Sequence, residues 1–171
     1  MSVMAIDIET KNFAHEIGGW GNTHMFQVST VCTWNGDVGT IYIDKAVDDL
    51  KKSHNIIGFD LPVMKNAMDI YCIKKYLDDK AYIDTSMLIN KAHGERYSLN
   101  NLVQSTLGEN KSMDSAEAPV VWKSGGYSEV AEYCLKDCQL VYDLWQYGQN
   151  NKMVKGFSLE QAETLELGVD W

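Results

Sequence analysis

An α/β layered domain with a mixed sheet is the fold class this sequence predicts, on three observations. The segment from Val3 to Thr10 is nearly all apolar apart from two carboxylates, as expected of a strand covered on both faces. Asn35-Gly36 separates two strand-like runs, Met25 to Trp34 and Gly39 to Asp44, and marks an antiparallel hairpin. Beyond it, short apolar runs alternate with segments bounded by helix starts and stops.

Each element has a local reason. Residues 11–25 contain Gly18, Gly19 and Gly21 and predict a long loop. Asp44 can cap a short helix through Lys52. Asn55 to Phe59 reads as a buried strand, and Asp60 with Pro62 opens a helix running to Tyr76. Ala81-Tyr82-Ile83 predicts a short strand. Asp84 can then cap a helix from Thr85 to Ala92, and Ser98 one that Gly108 stops after Leu107. Residues 109–127, polar and glycine-containing, predict a mobile connection. Ser128 to Tyr147 predicts the last helix, stopped by Gly148. A polar, then acidic tail follows, with a short helix expected from Ser158 to Leu167. No internal repeat appears, so residues 1–148 are expected to form one domain and 149–171 its tail.

Composition narrows the function classes. Hydrophobic residues make up 45% and charged residues 23% of the 171 positions, which excludes a fibrous or disordered chain. No apolar run approaches the roughly 18 residues of a membrane span, and no basic, then apolar leader opens the chain. The expectation is a cytoplasmic protein without a membrane partner. Cys32, Cys72, Cys134 and Cys138 form no CxxC pair and read as buried free thiols. The net charge of −9 disfavours a long groove for duplex phosphates. It suits a short footprint in which divalent cations supply the positive charge.

The acidic residues carry the chemistry. Asp7 and Glu9, two apart on a strand, leave the same face, although a fraying strand end facing water would also explain them. On the last helix, Val130, Cys134, Val141, Leu144 and Trp145 share one side at about 100° per residue. Asp137 falls inside that apolar arc, and Tyr133 lies at its edge, one turn earlier. A carboxylate there must be paired, protonated or metal-bound; a buried Lys or Arg is the alternative to a metal. Asp60 ends a buried strand, where α/β sheets build sites, though a plain helix cap would suffice for it.

Three segments together resemble a known family. Ala5-Ile6-Asp7-Ile8-Glu9-Thr10, Asn55-Ile56-Ile57-Gly58-Phe59-Asp60 and Tyr133-Cys134-Leu135-Lys136-Asp137 are similar, in residues, order and spacing, to the exonuclease motifs of the DEDD superfamily. Ile83-Asp84-Thr85 and Ser98 to Leu102 resemble its connecting segments. The tyrosine four residues before the last aspartate, with Glu132 where the other branch has histidine, resembles the tyrosine branch, which includes polymerase proofreading domains. The resemblance spans residues 3–147 and implies a ribonuclease-H-like fold. It also implies a 3′–5′ exonuclease releasing nucleoside 5′-monophosphates. Two Mg²⁺ or Mn²⁺ ions would be held by Asp7, Glu9, Asp60 and Asp137, with Tyr133 positioning the attacking water.

Other residues have weaker claims. Thr10, Trp20, Asn55 and Lys123 are candidates for substrate contact, Trp20 by stacking on a base. Lys111 and Lys123 could meet phosphates, but ordinary surface or packing roles would explain all of these. Asp84 reads as a helix cap, and the four histidines share no ligand spacing. The expected partner is the 3′ end of a single-stranded nucleic acid, DNA ahead of RNA. No polymerase domain is expected, leaving action alone, as a homo-oligomer or within a replication or repair assembly. An exoribonuclease and a non-catalytic nucleic-acid-binding or scaffold module are the competing readings.

Overall fold

The computed structural model describes residues 3–43, 63 and 83–171. Its first layer is an antiparallel sheet in the order β1-β2-β3, from Ala5–Thr10 (β1), Val28–Trp34 (β2) and Gly39–Ile43 (β3). β2, with pairs on both edges, is buried along all but its last residue. The β2–β3 turn uses Asn35 as expected: its side-chain oxygen accepts from the backbone N–H of Asp37 and Val38 at 3.0 and 2.8 Å. The loop expected before β2 carries 3₁₀ turns at Ala14–Ile17 and Thr23–Met25.

Alternation along β1 sorts its side chains between two layers. Ile6 and Ile8 join Ile17, Phe26, Val28, Val31 and Val63 in one apolar cluster. Ala5 packs in another cluster, with Cys32, Cys134, Cys138 and Val141. Those last three belong to the long helix Tyr127–Asn151, which crosses β1 and β2. Among the described residues three short helices with described bounds precede it: α1 (Thr85–His93), α2 (Leu99–Leu107) and α3 (Ala118–Lys123), so the long helix is α4. Asp84 caps α1 by accepting from the Met87 N–H at 2.9 Å, and Ser98 caps α2 by accepting from Asn101 at 3.2 Å.

Three expectations are corrected. The 109–127 connection contains α3, because Pro119 pre-sets the first turn and Ala118 and Trp122 pack against Val130 and Tyr133. Gly148 does not stop the last helix; it lies buried within α4, where an added Cβ would come within 2.7 Å of the Trp171 ring. The helix instead ends at Lys152, in the left-handed conformation at φ 59°. The tail is a hairpin, not a helix: Met153–Ser158 (β4) pairs antiparallel with Glu163–Gly168 (β5). Val154 and Leu167 from this hairpin join Leu102, Val103, Leu140 and Leu144 in a third cluster.

The described elements form an α/β arrangement. The expected strands at 55–59 and 81–83 and the helices opened by Asp44 and Asp60 lie outside the described residues, apart from Val63 and Ile83. No helix among the described residues is long and apolar enough to cross a membrane.

Candidate metal centre

Strand pairing and helix phase bring the acidic residues together. Asp7 pairs across the sheet with Cys32 and Glu9 with Thr30, so both carboxylates point toward α4. The helix is held there by thiols: Cys134 Sγ donates to the Asp7 carbonyl at 3.3 Å and Cys138 Sγ to the Cys32 carbonyl at 3.1 Å. The free thiols expected at Cys32, Cys134 and Cys138 are therefore buried, and they lock the register between helix and strand. Cys72 lies outside the described residues.

Asp7, Glu9 and Asp137 each offer a carboxylate oxygen within 4.8 Å of the other two. Glu9 is 8% exposed and Asp137 2%. Asp7 Oδ2 and Asp137 Oδ1 are buried without a hydrogen-bond partner that meets strict geometry among the described residues, and the Tyr133 hydroxyl is buried beside Asp137. Burial, then the charge of Asp137, pushes the Asp7 carboxyl from 3.8 up to about 7, against an opposing pull from Lys111. Burial also raises Asp137, with Lys111 again opposing. Tyr133 is held well above the ordinary tyrosine range, by burial first and then by Asp137, Glu9 and Asp7.

Lys111 is the residue that sequence reasoning underrated. Its Nζ lies 2.5 Å from Asp137 Oδ2 and 4.9 Å from the centre of the Tyr133 ring. A cationic partner for Asp137 therefore exists, half-buried where a buried one was weighed. Nothing in the Asn110-Lys111-Ser112 stretch distinguishes this lysine from a surface one, since its partner is 26 positions away. One cation against three carboxylates still leaves an excess of negative charge.

The cluster forms one wall of a cleft of about 550 Å³. Phe13, His15, Trp20 and Phe26 supply apolar surface to the same cleft, from the loop between β1 and β2. Phe13 stacks on His15 at 5.1 Å, and Trp20, 70% exposed, tilts against Phe26 at 5.7 Å. Of these four, the sequence singled out only Trp20. Thr10 is buried and donates to the Asn12 carbonyl at 3.0 Å. Lys123 pairs with Glu16 at 2.6 Å and lies over Phe13, bridging α3 to the first 3₁₀ turn. Asp60 and Asn55 lie outside the described residues.

The donor set fits a hard divalent cation: oxygen ligands only, with buried carboxylate oxygens open to coordinate it. Three mutually close carboxylates are otherwise costly to keep ionised. No family profile matches the chain, and no curated protein matches it.

Proposed function

We propose that this protein is a metal-dependent 3′–5′ exonuclease with a ribonuclease-H-like fold, in the tyrosine branch of the DEDD superfamily, acting on single-stranded nucleic acid. The observation that carries the reading is the convergence of Asp7, Glu9 and Asp137 within 4.8 Å, from elements more than a hundred residues apart. The antiparallel order of β1, β2 and β3, with α4 across β1, is compatible with that fold.

Asp7, Glu9 and Asp137 would hold the cation, with Asp60 as the fourth ligand the motif supplies. A divalent ion held there would supply positive charge for phosphodiester hydrolysis. The protein's own groups do the rest. Tyr133 keeps its proton, so its hydroxyl orients water as a hydrogen-bond partner and does not act as a base. Trp20 offers an exposed aromatic face to a terminal base, at a typical gain of about 1–3 kcal/mol per stacked base.

A non-catalytic module is the second reading, favoured by one observation: Lys111 already neutralises part of the Asp137 charge. Incubation of 5′-labelled single-stranded DNA, RNA and duplex with Mg²⁺ or Mn²⁺ separates the two. The exonuclease yields a ladder shortening from the 3′ end, which Asp7→Ala abolishes. A catalytically inert wild type that also shows no metal-dependent stabilisation supports the module. Cleavage that survives loss of both Asp7 and Asp137 overturns the site.

A further inference from the structure

Lys111 joins two cavities. Its side chain, 19% exposed, reaches the carboxylate cluster on one side. With Ser115 it also lines a second cavity of about 740 Å³, whose walls include Ser98, Asn100, Asp114 and Glu117. The backbone of the residue is anchored independently of its charge: the Lys111 N–H donates to Asn100 Oδ1 on α2 at 2.9 Å. A flexible four-carbon stem therefore hangs from a fixed point between an acidic cluster and a polar, carboxylate-bearing space.

We propose that Lys111 is a tethered competitor for the cation, occupying the carboxylate cluster when metal is absent and turning into the second cavity when a divalent ion enters. The inference rests on reading the cluster as a cation site. An ammonium at 2.5 Å from Asp137 Oδ2 and a divalent ion on the same carboxylate would repel strongly in this water-poor setting. The divalent ion carries twice the charge and can take several oxygens together, including Asp7 Oδ2 and Asp137 Oδ1, which have no hydrogen-bond partner among the described residues. Asp114 and Glu117 give the released ammonium acidic neighbours beside water, so its exit leaves no buried unpaired charge. Affinity for the metal is thereby set below what three carboxylates alone would give.

Calorimetric titration of Mn²⁺ into the full chain tests this with wild type, Lys111→Met and Asp137→Asn. The proposal expects Lys111→Met to bind at least about tenfold more tightly, and Asp137→Asn to lose the site. Unchanged or weaker binding by Lys111→Met, while Asp137→Asn still abolishes it, overturns the competitor and leaves the cation site standing. Binding insensitive to Asp137→Asn overturns both. Acetic anhydride labelling of the wild type, read by mass spectrometry against exposed Lys91, reports the movement directly and stays decisive if Lys111→Met does not fold. Lys111 should label several-fold faster with Mn²⁺ than with chelator; equal labelling overturns the proposal.

Discussion

The two halves of α4 make opposite use of the same buried face. Its first half sets Tyr133 and Asp137 against the carboxylates of β1, leaving polar atoms without hydrogen-bond partners among the described residues. Its second half sets Leu140 and Leu144 against α2 and the β4–β5 hairpin in an apolar cluster. Continuous packing makes the second seam a source of stability. The first seam holds three carboxylates where water is scarce against the ammonium of Lys111, and that excess of negative charge lowers stability. One helix thus anchors the chain at one end and stores electrostatic tension at the other.

Truncating Leu144 to Ala should break the contrast most severely. Loss of this fully buried side chain is expected to cost about 2–5 kcal/mol, read as a lower urea midpoint. The seams differ in kind only if the opposite sign appears at Asp7. With chelator present at pH 8, Asp7→Asn should stabilise the protein by about 1–3 kcal/mol while removing any Mn²⁺-induced rise in Tm. A destabilised Asp7→Asn protein would mean that the carboxylate is satisfied and the seam is not strained.

The same residue sets a pH signature. Its folded pKa, about 7, lies above the ordinary 3.8, so between those values the folded state holds a proton the unfolded state has released. Its contribution to stability is fully present below pH 4 and is lost as pH rises through 7. Urea midpoints of metal-free wild type relative to Asp7→Asn should therefore decline across that window, and a flat difference would contradict the shift. The smallest effect is expected at the α2 cap, where Ser98→Ala should cost about 1 kcal/mol, read as a lower urea midpoint.

How far the sequence reached follows the same division. Asp7, Glu9 and Asp137 were legible because charge in an apolar pattern is an anomaly that periodicity exposes. The caps at Asp84 and Ser98 were legible because their hydrogen bonds are local. The C-terminal hairpin was not: Val154 and Leu167 look unremarkable until α2 and α4 supply the surface they cover. Gly148 misled for a related reason, since a helix stop and a close approach of an aromatic ring both call for glycine. Lys111 was the hardest to see, because its partner is remote in sequence and its own surroundings are polar.

The edge of β4 carries one more consequence. Asn101 and Thr106 on α2 each exchange two hydrogen bonds with the backbone of Phe157 and Lys155, donating to the carbonyl and accepting from the N–H at 2.8–3.0 Å. Two side chains spaced along a helix thereby stand in for a neighbouring strand. A hairpin otherwise open to strand addition by another copy of the chain is shielded along this edge. Replacing Asn101 and Thr106 together would be expected to show its effect less in folding than in self-association.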